Sequence, residues 1–358
     1  MALLCVLPLS SAQIPAHPLW ETVPLFFHGC NFSGPFSPAA AAAIASRFAS
    51  ATVEKGQGLA APDNATVRAE AHMLAAALQL KALRPSLPIV AYFNAFLNWE
   101  MYQLAEDVAA DPSLALHEDG GALFLVGGDP AFPQPAGGMA VFDFTTPRVQ
   151  QWFAGACLRL VASGAFDGCF NDRSLANGGL PILTNVSPAR AAAWNAGHVT
   201  MMLGEQAALA EAGGFEIGNG ASTLVPGLPG LMLENFTSDE PGILLLQGFA
   251  AQGLLVHAHA GFAQQPGYCA GANLTSALAA FLMGAGDSSF FLCCTSYRVE
   301  LPSSDVLAWP EEYSRPLGKP LGLGARNASS GVWTRAFASG TVVTFDPASN
   351  VGGITWGQ

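Results

Sequence analysis

Charge is what this chain has least of. Only 11% of its 358 residues are Asp, Glu, Lys or Arg, against 51% hydrophobic residues. A chain this apolar has enough surface to bury on folding, which excludes intrinsic disorder. Positive charge is scarcer still: 14 Lys and Arg against 26 Asp and Glu leave a net charge of −12. That balance argues against nucleic acid or anionic membrane as partners, since both recruit basic patches. No charged residue occurs between 241 and 286, yet Gln247, Gln252, His257, His259, Gln264, Gln265, Pro266 and Asn273 interrupt the stretch. No clean apolar block of membrane-spanning length survives, so no membrane insertion is expected.

Several catalytic signatures are missing as well. There is no G-x-S-x-G, H-E-x-x-H, Walker loop or G-x-G-x-x-G. Serine hydrolases, zincins, NTPases and dinucleotide enzymes depend on those patterns. None of the seven cysteines forms a C-x-x-C, so zinc and thioredoxin-type chemistry have no support. Neither a metal nor a cofactor is expected.

What is present begins with an apolar run, Ala2 to Leu9, followed by Ser10, Ser11 and Ala12. The small residues at Ser10 and Ala12 satisfy the cleavage pattern of a signal peptide, although no Lys or Arg precedes the run. A signal peptide over 1–12 is the expectation, with a buried strand as the alternative. Six Asn-x-Ser/Thr triplets, at Asn31, Asn64, Asn185, Asn235, Asn273 and Asn327, point the same way, to a secreted or extracellular protein. Loss of Cys5 with the leader leaves six cysteines, at 30, 157, 169, 269, 293 and 294, enough for three disulfides of open pairing. Unbonded cysteines used as small hydrophobes are the other reading for Cys157 and Cys169.

Apolar runs then alternate with helical patterns along the chain. Strands are expected at Pro24–His28, Ala51–Lys55, Pro88–Asn94, Met139–Asp143, Ala165–Asp172, Phe215–Gly218, Gly230–Glu234, Leu254–His259 and Ser288–Cys293. Helices are expected at 37–48 (Ser37 cap, Pro38 first), 66–83, 99–109, 147–162, 187–212, 242–251 and 275–284. Residues 121–138 form an excursion of hairpin or loop character. This alternation implies βαβ units, hence an α/β fold with a parallel sheet, a closed (β/α)8 TIM barrel over 20–300. Nine strands exceed the eight such a barrel needs, and Ser288–Cys293 is taken as the edge strand or misassignment. Residues 301–358, alternating around Gly340 and Asp346-Pro347, read as antiparallel strands appended to the barrel. No internal repeat, low-complexity linker or charge run divides the chain.

Two of these runs end abruptly in an acid: Phe166 through Asp172, and Leu231-Met232-Leu233-Glu234. A strand buried on both faces reads as a continuous apolar run. The C-terminal ends of barrel strands are where such folds carry their chemistry. The order Tyr92-Phe93-Asn94, Phe142-Asp143-Phe144, Phe166-Asp167-Gly168 through Asp172, and Leu233-Glu234 resembles the TIM-barrel glycosidases around glycoside hydrolase family 114 (endo-α-1,4-polygalactosaminidase type) and related glycosyl hydrolase-like families. The C-terminal segments 315–322, 333–337 and 340–343 also resemble the tails of those relatives. The likeness spans 24–356 as scattered short motifs. Asn171-Asp172-Arg173 departs from the more usual Leu-Asp-Asn/Asp ending, and 121–138 has no counterpart.

The resemblance implies a glycosidase with Asp172 as nucleophile or base and Glu234 as proton donor. Glycoside hydrolysis needs one protonated and one ionised carboxyl group. A Glu after an apolar strand has its pKa raised by desolvation, which suits the acid. Arg173 would lower the Asp172 pKa if the two groups meet. Substrate contacts are expected from Glu54, Tyr92, Asn94, Asp143, Arg173 and His257, with carbohydrate as the partner. Structural readings stand beside these: a cap or Arg173 pairing for Asp172, a solvent-facing loop acid for Glu234, and a backbone-bonded barrel acid for Asp167. Tyr92, Phe93, Phe96, Trp99 and Tyr102 form either a sugar platform or plain core. His28, His257 and His259 lie near strand ends without metal-ligand spacing. A glycan on Asn235 would crowd a site at Glu234, so an active site predicts Asn235 to be bare. A catalytically inactive carbohydrate-binding barrel is the alternative function.

Overall fold

The computed structural model describes residues 20–357 except 64–65, 128–136, 175–184, 221–224 and 263. The signal-like start, Cys5, the Asn64 triplet and part of the 121–138 excursion lie outside the described residues.

Eight strands form one parallel sheet: β1 (Phe26–Gly29), β2 (Ser50–Val53), β3 (Ile89–Asn94), β6 (Gly168–Asp172), β7 (Phe215–Asn219), β8 (Gly230–Leu233), β9 (Leu255–Ala260) and β10 (Ser289–Cys293). Their spatial order follows their chain order. A parallel bridge between Leu25 and Phe291, with Phe291 N donating to Pro24 O at 2.8 Å, joins the last strand to the first. The result is a (β/α)8 barrel. Its strands read as apolar runs because both faces are covered, the inside by barrel core and the outside by helices.

Those helices are α1 (Pro38–Arg47), α2 (Ala69–Leu83), α3 (Gln103–Ala110), α4 (Pro147–Ala162), α5 (Pro188–Glu211), α6 (Glu240–Ala251) and α7 (Gly271–Gly284). Ser37 caps α1, Thr146 caps α4 and Asp239 caps α6, each accepting a backbone N–H, and Pro stands in the first turn of all three. This is the start signal expected of Ser/Thr/Asp-Pro sequences. Gly168 opens β6 because a Cβ there would come within 1.9 Å of Phe215 O. Beside it, Asp167 accepts Lys81 Nζ and Ile89 N, both at 2.7 Å, and pins the lower end of the barrel.

Two strand expectations are corrected. Ser289–Cys293 is the eighth barrel strand, with all five residues buried and paired to β9. Met139–Asp143 is the run that lies outside the barrel. Only Met139–Ala140 (β5) is strand, paired antiparallel with Leu125–Val126 (β4). Val141 and Phe142 continue as single bridges to Leu97 and Ala115. The run is apolar because it packs on the loops above β3, so burial imitates a barrel strand there.

The tail forms an antiparallel sheet of β11 (Ala325–Arg326), β12 (Trp333–Ala336), β13 (Val342–Asp346) and β14 (Val351–Thr355) against α7. Arg335, 4% exposed, donates through Nη1 to Leu282 O (2.6 Å) and Ala285 O (2.7 Å). These carbonyls at the end of α7 lack partners within the helix, and the guanidinium supplies them.

Cysteine usage also differs from the three-disulfide expectation. Cys157 bonds Cys169 and Cys269 bonds Cys293, while Cys30 and Cys294 are free and buried. Among the described residues no helix is long and apolar enough to cross a membrane.

Candidate functional site

A cavity of about 580 Å³ opens at the C-terminal ends of the barrel strands. Strand alternation decides which side chains reach it. Along β6, Phe170 and Asp172 point into the cavity, while Cys169 and Asn171 face the helices and meet Cys157 and Glu205 there. Asp172 accepts four hydrogen bonds. Tyr92 Oη (2.7 Å) and Asn94 Nδ2 (2.8 Å) reach Oδ2; Asn219 Nδ2 (2.8 Å) and Arg173 N (2.9 Å) reach Oδ1. Asn94 is itself fixed by Phe96 N and Leu97 N, which donate to its Oδ1 at 3.1 and 2.7 Å.

Glu234 follows β8 and shares a partner with Asp172. Asn219 Nδ2 donates to Glu234 Oε2 at 2.9 Å as well as to Asp172. The two carboxylate oxygens therefore lie no further apart than those two bonds end to end. Burial, and then the neighbouring Asp172, raise the Glu234 pKa above the ordinary glutamate value. Tyr297 Oη stands 3.3 Å from Glu234 Oε1 and 2.8 Å from His259 Nδ1.

Across the cavity, Glu54 and Lys55 follow β2. Lys55 Nζ bonds Glu54 Oε1, lies 3.3 Å from Tyr92 Oη, and sits 4.3 Å from the centre of the Tyr92 ring. Burial alone would lower the Lys55 pKa; Glu54 and Asp172 outweigh it and hold the ammonium above its ordinary value. His28, from β1, is 2% exposed, and burial drives its pKa well down, so the ring is neutral near pH 7.

The cavity thus gathers six of the eight residues singled out from the sequence: Asp172, Glu234, Glu54, Tyr92, Asn94 and Arg173. Two do not belong. Asp143 is outside because its segment is no barrel strand; it accepts Thr145 Oγ1 at 2.6 Å and Arg190 Nη2 at 3.5 Å. His257 points inward but lies deep in the barrel, stacked on Phe26 at 4.0 Å and 3.2 Å from Ser50 Oγ. Arg173 is also corrected in part. Its backbone N–H meets Asp172, while its guanidinium lies over the Phe96 ring at 5.4 Å. Its φ of 60° is left-handed, which turns the chain away from the strand and leaves the carboxylate to the amide. Of the aromatics, Tyr92 and Trp99 line the cavity, and Phe93, Phe96 and Tyr102 are core.

Lys55, Asn219 and Tyr297 also line the cavity, and no sequence motif marks them as site residues. Asn219 stands one residue past the expected end of β7, and Tyr297 lies in the irregular segment after β10. A second cavity of about 520 Å³ shares Phe262 with the first and is lined in part by Asn235 and Asn273, two of the triplet asparagines.

Solved structures share this architecture. A noncanonic maltogenic α-amylase from Thermotoga neapolitana superposes with a TM-score of 0.56 at 11% identity, over 91% of this chain and 86% of the other. An α-galactosidase from Lactobacillus brevis gives 0.51 at 11% identity, over 91% and 46%. A family 36 α-galactosidase variant from Geobacillus stearothermophilus, in complex with raffinose, gives 0.50 at 12%, over 91% and 48%. The chain spans about half the length of those α-galactosidases, and at such identities the likeness concerns the fold. No curated protein matches the chain by sequence. The model of a family described as hypothetical glycosyl hydrolase family 15 does match, over residues 81–341. That match supports the glycosidase-like barrel read from the motifs, and not family 114 in particular. Since the matched span is well over half of its length, the chain belongs to hypothetical glycosyl hydrolase family 15.

Proposed function

We propose that the protein is a secreted glycoside hydrolase that cleaves O-glycosidic bonds of a polysaccharide or glycan with retention of configuration, Asp172 acting as nucleophile and Glu234 as acid and then base. The single amide nitrogen of Asn219 bound to both carboxyl groups, in an open cavity with Lys55 beside it, carries this reading. Retaining enzymes hold their carboxyls about 5–5.5 Å apart, whereas inverting enzymes leave about 6.5–9.5 Å for a water. Two bonds of 2.8 and 2.9 Å from one atom favour the shorter spacing.

The environments of the two groups suit opposite roles. Four donors converge on Asp172 and hold its carboxyl in one orientation, as an attacking group needs. Glu234 keeps its proton to a higher pH than an ordinary glutamate, as a leaving-group acid needs. Lys55, Glu54 and neutral His28 supply donors and acceptors for sugar hydroxyls, and Tyr92 and Trp99 supply aromatic surface. Secretion is supported by the signal-like start and by two disulfides, which persist in oxidising compartments.

The test is hydrolysis of a glycan panel by wild type, Asp172→Asn and Glu234→Gln, with the anomeric form of the first product read by NMR. Loss of turnover in both variants and a retained anomer are expected. Unaltered turnover in either variant removes that residue from the mechanism, and an inverted product removes the retaining assignment. Glycans that bind the wild type without being cleaved would make it a binding barrel instead.

A further inference from the structure

Glu234 does not end at the cavity wall. Behind it, Tyr297 from the segment after β10, His259 from the inner face of β9 and the Cys294 carbonyl follow one another at 3.3, 2.8 and 3.0 Å. We propose that Tyr297 and His259 are positioning residues that keep the proton on Glu234, through a hydrogen-bond chain running from Glu234 to Tyr297, His259 and the Cys294 carbonyl. The proposal rests on the reading of Glu234 as the acid of a glycosidase.

The direction of each bond follows from which atoms can donate. Burial lowers the His259 pKa to about 4, so near neutral pH the ring carries one proton on one of its nitrogens. Nε2 faces the Cys294 carbonyl oxygen at 3.0 Å, and a carbonyl only accepts. The proton therefore sits on Nε2; the Cys294 thiol, 3.3 Å away, is at most a weak second acceptor. Nδ1 is then an acceptor, and the group facing it at 2.8 Å is the Tyr297 hydroxyl. That hydroxyl has a single proton, which goes to His259. Its oxygen turns lone pairs toward Glu234 Oε1, 3.3 Å away.

Two lone-pair oxygens face each other there unless Glu234 is protonated. With Glu234 as the donor, every atom of the chain has a partner. With Glu234 ionised, the Tyr297 proton turns onto Oε1, a bond that by itself lowers the Glu234 pKa, but buried Nδ1 is then left unpaired and opposes that arrangement. The other groups around Glu234 act separately. Asp172 across Asn219 repels its negative charge, Lys55 attracts it, and Asn219 occupies Oε2 rather than Oε1.

The sign of a pH shift tests the chain. Tyr297→Phe removes an oxygen that accepts from protonated Glu234, so the Glu234 titration and the basic limb of the pH–rate profile move down by about one pH unit. If Tyr297 instead donates to the carboxylate, both move up. An upward shift, or none, overturns the proposal. His259→Leu frees the Tyr297 proton for the carboxylate and moves both downward as well. Nitrogen NMR of wild-type His259 gives a second readout should these variants fail to fold: a proton on Nε2 is expected, and one on Nδ1 overturns the chain. The carboxyl titration and the tautomer need no substrate. A wild type inactive on every glycan would therefore defeat the glycosidase reading while these two measurements still decide the relay.

Discussion

Asn171 and Asp172 are neighbours on β6, and each belongs to the same chemical arrangement on opposite sides of the barrel wall. Inside, Asn219 Nδ2 is shared by Asp172 and Glu234. Outside, Asn171 Nδ2 is shared by Glu205 of α5 (2.6 Å) and Glu216 of β7 (2.9 Å). The outer pair is sealed: both glutamates are 0% exposed. Burial lifts the Glu205 pKa to about 8, and burial together with Glu205 pushes Glu216 well above the carboxylate range. No ion pair reaches either one among the described residues. The inner pair opens on a cavity and has Lys55 beside it. An amide shared by two carboxyls is therefore not a catalytic signature in itself. Solvent access and a nearby cation separate a site that can cycle protons from one that holds them.

The two sides of the wall are expected to differ most in turnover. Asp172→Asn and Glu234→Gln are expected to lower glycan hydrolysis by roughly 10²–10⁴-fold, while Glu205→Gln leaves it within the scatter of the assay. Equal losses on the two sides of the wall would end the distinction. Next in size is the tie behind the outer pair. Replacing Cys157 and Cys169 together by Ala is expected to cost about 2–4 kcal/mol in denaturant unfolding, with little change in turnover. Asn171→Ala removes the donor shared by two buried carboxyls and is expected to cost about 1–3 kcal/mol in the same measurement. Asn219→Ala, its inner counterpart, is expected to show first in kcat.

The last effect is a slope, small over any one pH unit. A carboxyl whose folded pKa is raised binds its proton more tightly in the native state, so its contribution is fully present below the ordinary value. For Glu205 that contribution is lost as pH rises from about 4.5 through about 8. Stability in that window should fall by about 1.4 kcal/mol per pH unit for each such proton, and Glu205→Gln should flatten the fall. An unchanged slope would mean that the outer pair is not proton-loaded.

The same contrast explains what the sequence reveals. Asp172 and Glu234 are legible because an apolar strand that stops at an acid carries one-dimensional information about a barrel mouth. The barrel itself is legible for the same reason, through its repeated apolar runs. Met139–Asp143 misleads because burial against loops gives the pattern of burial in a sheet. Asn219 and Tyr297 leave no trace, since an amide at a strand end and a tyrosine in an irregular segment acquire meaning only from what faces them. Asn171, Glu205 and Glu216 lie far enough apart in the chain that no local pattern joins them.

One bond on the outer side governs the inner one in a way that concerns assembly. Residues of β6 alternate, so a slip of one position in its pairing would exchange the two faces, turning Asp172 toward the helices and Asn171 into the cavity. The same slip would swing Cys169 inward, out of reach of Cys157 on α4, because a disulfide tolerates only a narrow range of separations. The Cys157–Cys169 crosslink can therefore close only on chains whose β6 is in the correct register. In an oxidising compartment it acts as a proofreading mark, made at a distance from the cavity, that certifies which way Asp172 points.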